Sequence, residues 1–550
     1  MSALAGARAP AVEATAAGER RLPGWWPLAA LTLLAAALRL STLTEQSFWY
    51  DEAFTPVHVL HSGLGATLHA VVHHENTPPL WYLLAWVDAR VFGDGALALR
   101  LPSALAGIAT VPIVWAIGQE LAGRRAALIG AALVAVSPLF VWYSQEARAY
   151  GLFVLFAALC MLCFARLLRE PTRAHAAAFA VSGALALLTH YFAVFLLMPM
   201  ALWLLRERST RRIALGAIAV LAVVGLALLP LISAQGGHGT QWIGRWALSS
   251  RLQAIPQYYL TGYSGSPLGH GVELLVALPL IAGAALGCWR LLMLPGPVTL
   301  PSPMTLSESA AQPSLAGRDP RAGAWVAFSI AAFAVLAPIV LAAFGADYLA
   351  PRNLVGAMIP LTVLFAILLG AAEGLIGALL AVACAVALLA VSIDVDLSPR
   401  LQRGNWRDLA KLLRAPAPGS HGAGRVLTTV ELGSAPLEYY LSDLHLRNLS
   451  RHDSVRVDEI DETGYPPLRA GAATPPAPGF RLSERRNVDG LFVYRFVSSI
   501  PRTVSEADLR RHVITLAHPE VLVPRGADTA RLSAKAASPS SQMSSSGQNI

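Results

Sequence analysis

Residues 213–233 read IALGAIAVLAVVGLALLPLIS, a run with no charged side chain, entered from Arg206, Arg208, Arg211 and Arg212. About 20 apolar residues in a helix cover the ~30 Å hydrocarbon core of a bilayer. Arginines clustered on one flank mark the end that stays in the cytoplasm. The pattern recurs along the chain. Hydropathy gives about eleven such segments, at 24–42, 98–119, 126–143, 150–168, 174–190, 191–206, 213–233, 272–293, 324–344, 354–371 and 374–392. The fold class expected is an α-helical polytopic membrane protein with about eleven transmembrane helices. Composition agrees, with 55% of the 550 residues hydrophobic and 14% charged, against about 25% charged in soluble domains.

The net charge of +8 does not point to nucleic acid, because the basic residues are scattered between apolar blocks and form no basic face. They orient the chain instead. Arg20 and Arg21, Arg124 and Arg125, then Arg166, Arg169 and Arg173, then Arg206 to Arg212 fall in alternate loops. Placing them in the cytoplasm puts the N-terminus inside and the loops at 43–97, 144–149, 234–271 and 345–353 outside. An odd helix count puts everything after residue 395 outside too, provided that 354–371 and 374–392 form a hairpin. The localisation expected is the inner (plasma) membrane, multi-pass, with the active site extracytoplasmic. The first apolar block, Trp25 to Leu40, is expected to be retained rather than cleaved, since no small-residue cleavage site follows it. All four cysteines lie in apolar blocks. Cys160 and Cys163 have a C-x-x-C spacing, but without a second pair they read as small residues of a spanning helix.

The domain organisation expected is a disordered cytoplasmic N-terminus over 1–22, a membrane domain over 23–395, a small extracytoplasmic α/β domain over 396–525 and a disordered tail over 526–550. Within the membrane domain, loop 43–97 carries helical apolar spacing at 56–70 and 79–92, as in helices lying at the interface. The Pro/Ser/Ala-rich stretch 295–322 reads as a cytoplasmic linker. In the α/β domain, Arg425–Val430 and Gly490–Phe496 read as strands and Trp406–Arg414 as a helix.

Charged residues beside a bilayer are costly, so where they gather is informative. In Phe48-Trp49-Tyr50-Asp51-Glu52-Ala53-Phe54-Thr55, two carboxylates sit among aromatics. A partly desolvated carboxylate there can accept a hydroxyl proton; equally, Asp51 can cap a helix with Glu52 in its first turn. In His73-His74-Glu75-Asn76-Thr77-Pro78-Pro79, the His and Glu side chains suit a metal or a phosphate. A turn before a helix with Pro79 near its first position explains them as well, and a metal would need further ligands from elsewhere. In Trp142-Tyr143-Ser144-Gln145-Glu146-Ala147-Arg148-Ala149-Tyr150, Arg148 has the planar fork that suits a phosphate, or pairs within the hairpin to close it. Thr189-His190-Tyr191 and Asp347-Tyr348-Leu349-Ala350-Pro351-Arg352-Asn353 match the same chemistry.

Together these residues resemble the bacterial family 39 glycosyltransferases of the GT-C superfamily, which includes the protein O-mannosyltransferases and the lipid A aminoarabinose transferases. The likeness rests on Asp51-Glu52-Ala53, the Asn76 to Tyr82 stretch, Arg100-Leu101-Pro102-Ser103, Ser137-Pro138 leading into Gln145-Glu146-x-Arg148-x-Tyr150, Leu188-Thr189-His190-Tyr191 and YLAPRNLVGAMIP at 348–360. It covers about residues 25–395, while Asn405-Trp406-Arg407-Asp408-Leu409 is similar to the start of the family's variable C-terminal domain. The resemblance implies an inverting transfer of a sugar from a polyprenyl-phosphate donor to an extracytoplasmic acceptor, a cell-envelope glycan, lipid or protein. It implies Asp51 as general base, Glu146 as the second acidic catalytic position, and Arg148 and Arg352 beside the leaving phosphate. Glu52, His74, Glu75, Tyr150, His190 and Tyr191 are the further substrate-binding candidates. The partners implied are the polyprenyl-phosphate sugar and membrane lipids. No cofactor is required, the lipid-linked sugar being a substrate, and a divalent metal is left open without being claimed. No P-loop or Rossmann glycine pattern is present. The large inserted lumenal domain of the protein mannosyltransferases is missing, which leaves a protein acceptor unsupported. A transporter or lipid flippase would also have many spans, but it would tend to show internal repeats and charges in mid-span. A non-catalytic scaffold would not need carboxylates and arginines gathered on one face.

Overall fold

A computed structural model of the chain describes residues 24–237, 240–262, 269–296, 319–512, 514 and 519–531. The expected N-terminal segment 1–22 and residues 297–318 of the expected linker at 295–322 lie outside the described residues, and the linker's last three residues, 320–322, already belong to the helix Pro320–Ala343. Among the described residues, seven helices are long and apolar enough to cross a membrane: Ala96–Leu121, Tyr150–Arg169, Arg208–Gln235, Gly271–Met293, Pro320–Ala343, Pro351–Ala371 and Gly374–Leu397. Arg124–Val136 and Pro138–Ser144 qualify together as an eighth, bent by 56°. Trp26–Leu40, Arg173–Thr189 and Tyr191–Arg206 are apolar but shorter. Each of the eleven expected segments falls on one of these helices. The three short ones are not spans by length alone, since 15 residues cover only about 22 Å of axis.

The 56° bend has a sequence cause. Pro138 has no N–H to give and disfavours a helical Ser137, which is extended at φ −66°, ψ 126°. The carbonyls of Val134 and Ala135 therefore lose their ordinary partners, and Arg39 of the first helix donates to both at 2.9 Å. Arg39 also donates to Ser144 Oγ at 3.1 Å. The contact depends on Gly107, because a Cβ there would collide with Ser144 Oγ and with Arg39. The bend turns the chain so that Gln145 to Arg148 run across the end of the bundle.

The loop after the first helix folds into the short helix Tyr50–Phe54, a wide π-turn at Thr55–Val59, then Leu64–His74 and Leu80–Phe92. Helix was expected over 56–70. The observed helix starts later because the chain stays extended at Gly63 (φ −97°, ψ 140°) before it winds again.

The C-terminal unit is a seven-stranded sheet: β1 Arg425–Val430, β2 Arg447–Asn448, β3 Asp453–Gly464, β4 Arg481–Val488, β5 Leu491–Ser505, β6 Pro519–Val523 and β7 Thr529–Arg531. The order is β2-β6-β1-β3-β5-β4, with β7 also on β3. Only β1 and β3 run parallel. The Trp406–Arg414 helix packs on the sheet through Trp406, Leu409, Ala410 and Leu413, one apolar face at helical spacing. The expected tail boundary at 526 is corrected. Residues 529–531 pair with Asp453, Ser454 and Val455, because β3 otherwise leaves that edge open.

The unit is stitched to the first loop. Ser47 Oγ donates to Gly404 O at 2.8 Å and accepts from Trp406 N at 3.0 Å. Phe48 N donates to Tyr440 Oη at 2.7 Å.

Candidate active site

The short helix Tyr50–Phe54 is held by one buried arginine. Arg100, from the Ala96–Leu121 helix, donates from Nε and Nη2 to the two Glu52 oxygens at 2.7 and 2.6 Å. It also donates to the carbonyls of Leu43 and Gln46 at 2.9 Å and of Ser47 at 3.1 Å. Ala147 N donates to Glu52 Oε1 at 2.8 Å, tying in the 145–148 turn. Glu52 is fully buried. Burial pushes its carboxyl up, but Arg100 and Arg403 beside it win and hold it below the ordinary carboxylate range.

With Glu52 turned inward, Asp51 faces a cavity of about 860 Å³. Asp51 is not the helix N-cap considered from sequence: Trp49 holds that position, and Asp51 sits in the first turn. Arg352 Nη1 donates to Asp51 Oδ2 at 2.6 Å. Arg352 lies at the start of the 3₁₀ turn Pro351–Ala357, with its guanidinium 4.9 Å from the Trp242 ring centre.

Arg148 does not pair with Glu146 to close a hairpin, as considered from sequence. Its Nη1 and Nη2 each donate to Glu75, both at 2.9 Å, across the cavity wall. Glu146 points away from the cavity, and its Oε2 accepts from Arg403 Nη2 at 3.0 Å. Its Oε1 has no hydrogen-bond partner among the described residues. Burial pushes the Glu146 carboxyl up to about 7, with Arg403 pulling against it and Glu52 and Asp51 adding to the rise.

Tyr191 Oη donates to Gln235 Oε1 at 2.7 Å, and Gln235 Nε2 donates to Val71 O at 2.9 Å and Thr77 O at 3.1 Å. This chain of bonds fixes the segment that carries His74 and Glu75. His190 is buried, stacks on Phe153 at 4.7 Å, and accepts the Phe192 N–H at Nδ1. Its proton therefore sits on Nε2, which has no partner among the described residues.

Of the candidates from sequence, Asp51, His74, Glu75, Arg148, Tyr150, His190, Tyr191 and Arg352 line the cavity. Glu52 and Glu146 do not; each is buried against an arginine, so neither is placed to touch a substrate. Among the described residues, no group of three or more His, Cys, Asp or Glu side chains is arranged to hold a metal. Reasoning from sequence missed Trp242, Gln235 and Leu432 on the cavity wall and Arg403 behind it. Arg403 stands two residues before the Asn405-Trp406-Arg407-Asp408-Leu409 stretch, but nothing in its spacing marks it. The wall also carries apolar side chains, among them Phe195, Met198, Leu221, Leu229, Ile232 and Leu341.

Residues 76–234 match the family model described as dolichyl-phosphate-mannose-protein mannosyltransferase. No curated protein matches the chain. Similar solved structures include the Archaeoglobus fulgidus oligosaccharyltransferase in complex with Zn and sulfate, at 14% identity and a TM-score of 0.44, covering 76% of this chain and 57% of that one. They include the same organism's oligosaccharyltransferase AglB in complex with an inhibitory peptide and a dolichol-phosphate, at 16% identity and a TM-score of 0.41, covering 71% of this chain and 57% of that one. They also include ArnT from Cupriavidus metallidurans bound to undecaprenyl phosphate, at 14% identity and a TM-score of 0.38, covering 86% of this chain and 98% of that one. The chain spans about three fifths of the length of the oligosaccharyltransferases. The matched segment contains Arg100, Glu146, Arg148, Tyr150, His190 and Tyr191, while Asp51, Arg352 and Arg403 fall outside 76–234.

Proposed function

We propose that this protein is an inverting glycosyltransferase of the inner membrane. It transfers a sugar from a polyprenyl-phosphate donor to an extracytoplasmic acceptor, with Asp51 as general base. The observation that carries the reading is the make-up of the cavity: two carboxylates, Asp51 and Glu75, each paired with an arginine, together with a long apolar wall. A lipid phosphate needs both, the arginines for its charge and the apolar wall for its tail.

In the reaction, Asp51 takes the proton of the acceptor hydroxyl as that oxygen bonds to the sugar's anomeric carbon from the face opposite the phosphate. The bond from carbon to phosphate oxygen breaks, and its electron pair leaves with the phosphate. The diester becomes a monoester, so negative charge grows at the phosphate oxygens, and a fixed cation there lowers the barrier. Arg352 is better placed for this than Arg148. Arg148 spends both forks on Glu75, whereas Arg352 gives a single bond to Asp51. A phosphate that draws Arg352 across leaves Asp51 without its counter-ion at the moment the base is needed.

The test is the lipid fraction of cells in which the protein is deleted. Accumulation of one polyprenyl-phosphate sugar, reversed by the wild type and not by Asp51→Asn, is expected. An unchanged set of lipid-linked sugars would overturn the reading.

A further inference from the structure

Glu146 takes its partner from 257 residues further along the chain. Arg403 belongs to the segment that enters the C-terminal unit, and both side chains of the pair are almost fully buried, at 3% and 1% exposure. The Arg403 guanidinium lies 4.2 Å from the Trp142 ring centre and 5.9 Å from that of Trp49, and donates to Gln145 O at 3.3 Å. Trp49 leads directly into Asp51, while Gln145 and Glu146 lead into Arg148. One side chain thus touches both backbone segments that deliver Asp51 and Arg148. Its own place is fixed by Arg403 N donating to Gln46 Oε1 at 3.2 Å and by the Ser47–Gly404 bond at 2.8 Å. Neither Arg403 nor Glu146 lines the cavity, so both act through what they hold.

We infer that Arg403 is a positioning residue of the active centre, through which the C-terminal unit holds the Gln145–Arg148 turn against the segment that carries Asp51. The inference rests on the transferase reading above. It differs from simple docking of the unit in one respect. A docking anchor sets how much protein is folded, whereas a positioning residue sets the turnover of each folded molecule. Glu146 adds a pH signature. Burial pushes its carboxyl up to about 7, with Arg403 and Arg352 pulling it down and Glu52 and Asp51 adding to the rise. As pH falls through about 7, Glu146 takes a proton and releases Arg403.

The experiment compares the full-length wild type with Arg403→Met, Arg403→Lys, Glu146→Gln and the double variant Arg403→Met/Glu146→Gln. Initial rates of transfer from the lipid-linked sugar are measured against pH and normalised to folded protein. Arg403→Met and Glu146→Gln are each expected to lower kcat roughly ten-fold or more with KM little changed, and the double variant to be no worse than either, because residues acting as one unit are not additive. Lys is expected to recover part of the rate, and the acidic limb near pH 7 to vanish in the double variant. Removing one charge of a buried pair strands the other. If the single variants fail to fold, the double variant carries the test alone: lowered kcat without the limb supports the inference, and wild-type kcat and pH profile overturn it. Single losses that multiply in the double variant also overturn it. A wild type that turns over no lipid-linked sugar sinks the transferase reading and this inference with it; an active wild type with an equally active Arg403→Met variant sinks this inference alone.

Discussion

Successive side chains on a helix point roughly 100° apart, so Asp51 and Glu52 meet different surroundings although they are neighbours. Glu52 turns into protein and is taken up by Arg100; Asp51 turns into the cavity and meets Arg352. Substitutions should separate them. Asp51→Asn keeps the size of the side chain but cannot accept the proton, so transfer should fall on the order of 100- to 10,000-fold in a protein that folds normally. The same variant should bind a polyprenyl phosphate more tightly, because Arg352 no longer has a competing carboxylate; Glu75→Gln should tighten it less, because it frees only Arg148 and leaves the Arg352 pair intact. Equal tightening in both would mean that the gain is only the loss of a nearby negative charge. Glu52→Gln should do the opposite of Asp51→Asn. It strands a buried arginine, at a cost of about 3–5 kcal/mol, so its signature is poor yield and a lowered melting temperature. Arg148→Lys should keep one of the two bonds to Glu75. Losing the other should cost roughly 1.5 kcal/mol of stability, read as a lowered melting temperature.

At the scale of elements, β7 separates two kinds of truncation. Ending the chain after residue 531 removes only residues outside the described structure, and should leave yield and transfer unchanged. Ending it at 525 removes β7, the Ser454 Oγ bond to Ala530 O at 3.1 Å and the Arg447 bond to Thr529 Oγ1 at 3.1 Å. That variant should melt several degrees lower in a thermal scan, with its membrane part still assembled. The same sheet explains where the sequence could be read and where it could not. β1 was visible as an apolar run and Trp406–Arg414 as an apolar face at helical spacing, and both stand where they were expected. β3, with the sequence DSVRVDEIDETG, carries five acidic residues in twelve and gives no apolar run to mark it, yet it is buried in mid-sheet. Its Asp461 and Glu459 are taken up by Arg425 and Arg495, which arrive from two other strands. The candidate site divides in the same way. Motif spacing picked out eight of the residues on the cavity wall, Asp51, His74, Glu75, Arg148, Tyr150, His190, Tyr191 and Arg352, but could not say that Glu52 and Glu146 would face inward. That depends on Arg100 and Arg403, which lie 48 and 257 residues away from their partners.

At the scale of the whole molecule, four loops expected on one side of the membrane meet at one cavity. Asp51 comes from 43–97, Arg148 from 144–149, Trp242 from 234–271 and Arg352 from 345–353. The arginines used to fix the cytoplasmic side lie at the opposite ends of the same helices, as with Arg166 and Arg169, both paired with Glu120 at the end of Ala96–Leu121. The C-terminal unit touches the cavity end, through Ser47, Phe48 and Glu146. It therefore has to lie on the same side of the membrane as Asp51. The weave predicts that this side is extracytoplasmic, and two fusions test it. A reporter active only in the cytoplasm, joined after residue 420, should be silent, while one active only after export should give a signal there. The pattern should reverse for fusions in the turn at 122–123, between Ala96–Leu121 and Arg124–Val136. Cytoplasmic activity at 420 together with export activity at 122 would invert the molecule and bring the cavity to the cytoplasmic face. The same reporter type active at both positions would mean that the Pro351–Ala371 and Gly374–Leu397 pair does not cross twice, and that the contact between the C-terminal unit and the Asp51 segment does not form in the membrane.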